Sequence, residues 1–424
     1  MSEYPIRVDR ASDDERFLAT DDIVWFGEPS TLPASEELIG VPADQRFAAD
    51  LPDADPGSYP GIYGVRPMQL AVPAAGPGTA ASLIPMAGLT WVGVHPDHRR
   101  RGMLTAMLRH HVEQTHREGV ALSGLHASEG AIYGRHGWGV ATQAFSISLG
   151  RGTELKAPGL DDEAKGLTTR FASVTDDGIA ERLLACETRV ATQVAGQVVG
   201  DLTYYAGIVR HQRQPSSLRD KEPMRFLFAQ RDGVDVGITA FRREHKWEQG
   251  SPAGKLEVFA LIGAPATRLA LLRRLVDFDL IGTISVPQIG VDDPVWHWLG
   301  PRTASDIQTH DNLWLRIIDL PAALPLRSYA EDCDVVVDVT DPAAPWQAGR
   351  WRIVTRGGEG SATRTDAEAD LEIPVAVLGS AYLGGINLLA QQHAGVLAER
   401  RPGAIRELWR AFRSDLAPAP AIGF

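Results

Sequence analysis

The chain has few of the residues that build disulfides, zinc sites and membrane spans. Only two cysteines, Cys186 and Cys333, occur among 424 residues, which argues against a disulfide framework or a cysteine-rich zinc site. Both are expected to be buried, reduced thiols. No apolar run reaches the roughly 20 residues that span a bilayer, and residues 1–17 lack the apolar core of a secretory signal. We therefore expect a cytoplasmic protein with no membrane partner.

Basic charge is also scarce. The chain has 42 Lys and Arg against 54 Asp and Glu, a formal net charge of −12. This balance argues against nucleic acid as a partner and is compatible with a cationic small molecule. The phosphate-binding motifs G-x-x-x-x-G-K-[ST] and G-x-G-x-x-G are missing. So are H-E-x-x-H and any Cys/His cluster, and no metal is expected.

The length predicts several domains, and the composition, with 44% apolar and 23% charged residues, is that of a globular protein. A Pro- and Gly-rich stretch over residues 150–163 predicts a boundary near residue 150. Predicted strands and helices alternate before it and again up to about residue 300. The last region starts with Leu313–Asp319, whose alternation predicts a strand with one exposed face. The pattern predicts an α+β fold with domains at residues 1–150, 151–300 and 301–424.

A basic turn carries the densest chemical signal. Arg99, Arg100, Arg101 and Gly102 connect a predicted strand to a helix predicted over residues 103–117. The start of a helix offers free N–H groups and a positive dipole end, which bind phosphate oxygens. Three arginines there are unfavourable unless an anion meets them, and a glycine lets the backbone approach that anion closely. The turn therefore predicts a pyrophosphate cradle of the form R-x-x-G-x-x.

A tyrosine follows this turn. A predicted strand over residues 120–127 leads to a short helix that contains Tyr133, and then to Gly137 and Trp138. A phenol, with a pKa of about 10, can protonate a leaving thiolate; a half-buried core tyrosine is the alternative. Residues 126–130 also approach the G-x-S-x-G elbow of hydrolases. Here His126 stands in place of the first glycine of that motif, and a hydrolase function would leave the three arginines unexplained.

Together these residues resemble a known superfamily. Arg99 and Gly102 match motif A of the GNAT acetyltransferases, [QR]-x-x-G-x-[GA], although Leu104 stands where Gly or Ala is usual. The runs WVGVHPDHRRRGMLTAML and LHASEGAIYGRHGWG resemble the enhanced intracellular survival (Eis) family, as do residues 313–324, 378–384 and 411–424. The resemblance implies an N-terminal GNAT domain, a second GNAT-like domain without a usable cofactor site, and a C-terminal sterol carrier protein-like domain, assembled as a homohexamer.

The same resemblance implies a catalytic apparatus. Acetyl-CoA would be the co-substrate, held between splayed strands. Tyr133 would be the general acid, and the carboxylate of the terminal residue, Phe424, the general base. The tail, residues 417–424, is apolar, unlike a typical frayed terminus. The implied cofactor contacts are Val92, Gly93, Val94, Arg99, Arg100, Arg101, Gly102, Met103, Leu104, Thr105, Ser128 and Glu129.

The acceptor is expected to be a small primary amine approached by acidic and aromatic side chains. A solvated helix face is the alternative for the carboxylates. The resemblance implies aminoglycosides or other polyamines as substrates. Gly423 stands where relatives that acetylate aminoglycosides can carry an acid, so we expect weaker binding of polycations. A lipid-binding module and a non-catalytic scaffold with a vestigial cofactor loop are the alternatives to an enzyme. The amine-binding candidates are Asp21, Asp22, Trp25, Phe26, Glu28 and Trp91.

Overall fold

The computed structural model describes residues 6–27, 32–52, 54–74, 81–213, 222–300 and 307–424. Both cysteines are free and buried, as predicted. Within these ranges no helix is both long enough and apolar enough to cross a bilayer.

The helices of the described residues include the one predicted after the basic turn. Met103–Arg117 buries Met103, Met107, Leu108 and Val112, one helical face, against the first sheet. The helices are Asp14–Trp25, Ala34–Glu37, Met103–Arg117, Gly130–Tyr133, Asp161–Lys165, Ile179–Ala191, Leu202–Arg213, Pro265–Val276, Val295–Trp298, Leu320–Ala323, Val375–Ala381, Leu388–His393 and Ala404–Phe412.

The strands form three large sheets and one short hairpin. They are β1 Arg7–Arg10, β2 Arg46–Asp50, β3 Gly61–Pro73, β4 Ala81–Val94, β5 Leu122–His126, β6 Gly139–Val140, β7 Gln143–Gly150, β8 Thr168–Ser173, β9 Val198–Gly200, β10 Arg225–Arg231, β11 Val234–Glu244, β12 Trp247–Glu248, β13 Ser251–Pro252, β14 Gly254–Gly263, β15 Ile281–Ile289, β16 Gln308–Asp311, β17 Leu313–Ile317, β18 Cys333–Thr340, β19 Gly349–Arg356, β20 Glu359–Arg364, β21 Leu371–Pro374 and β22 Ala398–Glu399.

The first sheet has the order β1-β2-β3-β4-β5-β17-β6, with β9 paired to β3. β4 is antiparallel to β3 along nearly its whole length. It is parallel to β5 at only two positions, Ala87 opposite Ser123 and Gly88 opposite Gly124. The two strands diverge beyond Gly88, so the last residues of β4 have no partner strand on the β5 side.

The second sheet, β16-β7-β15-β14-β11-β10-β8, repeats this arrangement. Its parallel pair is β14 and β15, joined by the helix Pro265–Val276, and their pairing ends at Glu257 opposite Ser285. The two halves therefore share a strand–helix–strand unit in which a parallel pair separates towards one end.

Strands cross between the three predicted regions. β7, from the first 150 residues, pairs with β15 and β16 in the second sheet. β17, from beyond residue 300, pairs with β5 and β6 in the first sheet. All five β17 residues are buried, so the expected exposed face of this strand is wrong. β17 lies inside the first sheet, between β5 and β6. The boundaries at residues 150 and 300 stay predictions, and hydrogen-bonded sheets cross both.

The third sheet, β20-β19-β18-β21-β22, carries the C-terminal helices. β18 turns one face to the core, since every second residue from Cys333 is buried. This region packs tightly on the first sheet: a Cβ at Gly379 would overlap the carbonyl oxygen of Leu315 on β17. A buried ion pair, Arg316 to Asp341 at 2.7 Å, joins the same two regions.

Candidate active site

The basic turn is arranged to meet an anion. Arg100 and Gly102 adopt left-handed backbone conformations, with φ of 60° and 91°, and the helix begins at Met103 without a side-chain cap. Arg99, Arg100 and Arg101 are exposed, and none forms an ion pair with a described residue. Uncapped N–H groups and unpaired cations therefore coincide at the positive end of a helix dipole, as a pyrophosphate requires.

The end of β4 leads into this turn through a bulge. Trp91 has a φ of 52°, and the pairing with β3 shifts so that Trp91 and Val92 together face Tyr63. A bulge of this kind bends a strand, here beyond the last residue that pairs with β5. The backbone of Val92, Gly93 and Val94 lines the resulting gap. An extended arm ending in a pyrophosphate, as in acetyl-CoA, fits a gap between strands that ends at a basic helix start.

Tyr133 follows β5, the strand on the other side of the gap. β5 ends at His126, and the exposed residues Ser128 and Glu129 lead into the short helix that ends at Tyr133. The Tyr133 ring meets Trp138 edge-on with centroids 6.2 Å apart. Its hydroxyl makes no hydrogen bond with any residue that the structure describes. Burial, with a smaller contribution from Glu129, raises the pKa of Tyr133 to about 12, so the phenol carries its proton at neutral pH.

The chain terminus reaches the same gap. The Phe424 ring lies edge-on to His126 with centroids 4.9 Å apart, and a Cβ at Gly88 would stand 3.0 Å from Phe424 Cε2. Gly88 is the residue at which β4 and β5 separate. His126 donates from Nε2 to the carbonyl of Ile422 at 3.0 Å. Burial lowers the pKa of His126 to about 4, so the imidazole is neutral at pH 7.

The expected amine-binding residues divide into two groups. The helix Asp14–Trp25 crosses β4 at Gly93, where a Cβ would stand 3.1 Å from Val24, and Trp91 packs on Phe17 of that helix with centroids 5.8 Å apart. Trp25 and Phe26 instead face solvent, at 52% and 87% exposure. Glu28 lies outside the described residues. The structure therefore packs Trp91 against this helix and leaves the rings of Trp25 and Phe26 in solvent.

The two aspartates of this helix lie in an acidic neighbourhood. Burial raises the pKa of Asp21 to about 6, and Asp22 and Glu37 add to the effect. Burial and Glu37 also raise the pKa of Asp22. Asp21 Oδ1 is buried without a hydrogen-bond partner among the described residues. Such a carboxylate would be stabilised by a cation.

Several residues at this site carry no signal in the sequence. His126 stood out only as a misfit in a hydrolase motif, and Gly88 lies inside an ordinary apolar strand. Tyr204 and Asn312 contact the tail from more than 100 residues away, at Gly423 and Ala421. Only the folded chain brings these residues together.

Comparison with known proteins agrees with this geometry. Residues 77–141 match the family described as an acetyltransferase (GNAT) domain, and residues 320–420 match the sterol carrier protein domain. An uncharacterized N-acetyltransferase of Streptomyces avermitilis is 36% identical over 353 residues, covering 82% of this chain and 83% of that protein. The N-acetyltransferase Eis of Mycobacterium bovis is 30% identical over 382 residues, covering 88% and 87%.

A solved structure extends the likeness to the whole fold. The crystal structure of Eis1 from Mycobacterium abscessus superposes with a TM-score of 0.78 at 26% identity, covering 97% of this chain and 98% of that one. The splayed strands, the basic turn and these matches define a GNAT acetyltransferase with a C-terminal sterol carrier protein domain. The chain belongs to the Eis family of N-acetyltransferases. The predicted α+β class, with tandem GNAT-like units and a sterol carrier-like region, is confirmed.

Proposed function

We propose that the chain transfers the acetyl group of acetyl-CoA to a primary amine of a small molecule, with Tyr133 as general acid and the carboxylate of Phe424 as general base. One observation carries the proposal. The Phe424 ring lies against Gly88 and His126, where β4 and β5 separate, and the free hydroxyl of Tyr133 follows from β5. The terminal residue and the strand that leads to Tyr133 therefore border the gap proposed for the thioester arm, which supports the two proposed roles.

The proposed reaction removes protons from the amine and adds one to the leaving thiolate. A lysine-like amine has a pKa of about 10.4 and must lose a proton before it attacks. An α-carboxylate, pKa about 3.5, is a weak base towards ammonium, so Phe424 acts through a water molecule or by orienting the amine. The nitrogen then attacks the thioester carbon and the C–N bond forms; as the C–S bond breaks, the nitrogen releases its second proton to solvent. The departing thiolate takes the proton of Tyr133, which is restored from solvent.

The arginine turn would hold the pyrophosphate, and backbone groups of Val92 and Val94 would pair with the pantetheine arm. We propose the following residues for the cofactor: Val92, Gly93, Val94, Arg99, Arg100, Arg101, Gly102, Met103, Leu104, Thr105, Ser128 and Glu129. Asp21, Asp22, Trp25 and Trp91 are proposed for the amine, and the acidic net charge of −12 favours a cationic acceptor.

Finer properties follow from the family resemblance and are proposed with it. The acceptor is an aminoglycoside or another polyamine, bound less strongly than in relatives with an acid before the terminal residue, because Gly423 is uncharged. The assembly is a homohexamer in the cytoplasm. The domains run over residues 1–150, 151–300 and 301–424, with cofactor bound in the first.

A turnover assay with a modified terminus tests the proposal. Acetyl-CoA is offered with aminoglycosides, polyamines, arylalkylamines and lysine peptides, and released thiol is measured. We expect turnover with at least one class of amine. Two residues appended after Phe424 displace the carboxylate and should abolish turnover without changing Tm, whereas the same two residues before Met1 should leave both unchanged.

Two results would count against the proposal. Full activity of the extended protein would remove the role of Phe424. No thiol release with any amine would favour a lipid-binding or assembly function with a vestigial cofactor loop.

A further inference from the structure

The last residues of the chain are held by backbone hydrogen bonds to several elements. Ala417, Ala419 and Ala421 each donate their N–H, and successive carbonyls from Pro420 to Gly423 each accept a bond from a side chain. The partners are Asp292 Oδ2 for Ala417 at 2.8 Å, the Ala195 carbonyl for Ala419 at 2.7 Å, Gln197 for Pro420 at 3.2 Å, Asn312 for both groups of Ala421, His126 for Ile422 at 3.0 Å, and Tyr204 for Gly423 at 2.7 Å.

Asn312 acts as a fixed substitute for a neighbouring strand. Its Oδ1 accepts from the N–H of Ala421 at 2.7 Å, and its Nδ2 donates to the carbonyl of the same residue at 3.1 Å. The hydroxyl of Thr142 also donates to Oδ1, at 2.8 Å. The side chain is buried, at 4% exposure. Because the Ala421 N–H and the Thr142 hydroxyl both donate to one atom, that atom must be the amide oxygen, which determines the orientation of the Asn312 amide.

The tail lies at the separated end of the second parallel pair. Pairing between β14 and β15 ends at Glu257 and Ser285, and a Cβ at Gly290, just after β15, would stand 3.3 Å from Pro420. A small cleft of about 50 Å³ in the same place is lined by the ends of both strands and by Ala419, Pro420 and Ile422. In the first half of the molecule, the corresponding gap is the one proposed for acetyl-CoA. The second half therefore holds a segment of its own chain there.

The binding site for the tail, called the seat below, also depends on a glycine that has no side chain to block the tail. Gly196 has a φ of 99°, and a Cβ there would overlap the carbonyl oxygen of Ala419. Gly178, in the same half, has a φ of 70° but would meet no atom within 4 Å. Alanine at either position carries a similar backbone strain, and only the first displaces the tail.

We propose that the second GNAT-like unit serves as the receptor for the C-terminal tail, with Tyr204 and Asn312 as positioning residues for the Phe424 carboxylate. This inference rests on the proposed function. Tyr204 holds the carbonyl of Gly423, immediately before the terminal residue, and its ring is buried at 3% exposure. The second unit would then bind no cofactor, and its gap between β14 and β15 would instead position the Phe424 carboxylate for catalysis in the first unit.

Tyr204→Phe tests this role by removing one hydroxyl. Its matched control is Tyr205→Phe, which removes a neighbouring buried hydroxyl that bonds Glu187 and not the tail. We expect Tyr204→Phe to lower kcat roughly five- to tenfold, the effect of one lost hydrogen bond, with KM for acetyl-CoA unchanged. Tyr205→Phe should keep the wild-type kcat. A wild-type kcat in Tyr204→Phe, or an equal loss in both variants, would overturn the role.

Hydrogen exchange tests the seat without any turnover. In the wild type, the amides of Ala417, Ala419 and Ala421 should exchange slowly in the C-terminal peptide. Gly196→Ala should speed their exchange at least about tenfold, and Gly178→Ala should not. Unprotected tail amides in the wild type, or equal protection in both variants, would overturn the inference. Absence of turnover by the wild type would instead reject the proposed function, and the exchange result would still stand.

Discussion

At the scale of single residues, burial determines which side chains can move protons. Tyr133 is buried, at 7% exposure, and its raised pKa keeps the phenol in the protonated form that an acid needs. Asp21 shows the same physical effect on another group: burial and two nearby carboxylates destabilise its charge. For Tyr133 this effect is compatible with the proposed role of general acid, and for Asp21 it is a cost that a bound cation would offset.

Removing the Tyr133 hydroxyl is expected to leave the fold intact, because that hydroxyl bonds no described residue. Tyr133→Phe should lower kcat by about 10²- to 10⁴-fold, the usual contribution of general acid catalysis, with Tm unchanged. Steady-state kinetics with the best amine of the panel measure this. Tyr382→Phe is the control, since its hydroxyl bonds the carbonyl of Ala323 in the C-terminal region. Equal activity of Tyr133→Phe and the wild type would contradict the acid role.

Asp21 should make stability depend on pH. Its folded-state pKa of about 6 lies above the ordinary aspartate value of 3.8, so the folded chain binds more protons than the unfolded chain and loses stability as pH rises through this window. Asp21→Asn removes that cost. It should stabilise the protein by at most about 3 kcal/mol at pH 8 and by about half as much at pH 5.

Thermal unfolding at the two pH values measures this difference, with Asp177→Asn, an exposed aspartate, as the control. A stabilisation by Asp21→Asn that does not change between pH 5 and pH 8 would contradict the assignment.

At the scale of elements, a strand, a turn and a helix together make the proposed anion site. The bulge at Trp91 bends β4, the left-handed residues Arg100 and Gly102 reverse the chain, and the helix at Met103 presents its uncapped N–H groups. No one of these features binds a pyrophosphate alone. Because the strand, the turn and the helix follow one another directly along the chain, the arrangement can be predicted from the amino-acid sequence.

Neutralising the turn should weaken cofactor binding and spare the chemistry. Arg99, Arg100 and Arg101 replaced together by glutamine should raise KM for acetyl-CoA at least about tenfold, since charge-assisted hydrogen bonds are worth about 1.5–3 kcal/mol. The change in kcat should be small. Arg117→Gln, at the exposed far end of the same helix, is the control. A KM as low as that of the wild type would show that the phosphates bind elsewhere.

At the scale of the whole molecule, the three regions depend on one another. β7 of the first region pairs within the second sheet, and β17 of the third region pairs within the first sheet. The tail runs from the third region, past the second, to the first. The buried pair of Arg316 and Asp341 joins β17 to the segment after β18. Arg316 also donates to the carbonyl of His136, three residues after Tyr133. Damage to the third region should therefore reach the active site.

Breaking this buried pair should be costly. Asp341→Ala leaves the Arg316 charge buried without its partner and should destabilise the protein by about 3–5 kcal/mol. Asp334→Ala breaks a comparable Arg–Asp pair at the surface, with Arg352, and should cost no more than about 1 kcal/mol. Thermal unfolding of both variants measures the difference. Equal shifts in Tm would contradict the structural role of the buried pair.

The sequence by itself determined the features that depend on neighbours in the chain. The basic turn, the helix Met103–Arg117 and the position of Tyr133 were predicted because dipoles, caps and helical periodicity act over a few residues. The family resemblance added Phe424 as a hypothesis that no local pattern contains.

Only the tertiary structure decided where β17 lies and what holds the tail. Leu313–Ile317 alternates like a strand with one exposed face, yet all five of its residues are buried. β5 and β6 pair with its two edges, and Gly379 of the C-terminal region packs closely against Leu315. Asn312 meets Ala421 across 109 residues, and His126 meets Ile422 across 296. Such contacts form because buried backbone groups must find partners wherever the fold supplies them, and no spacing along the chain records which partner that is.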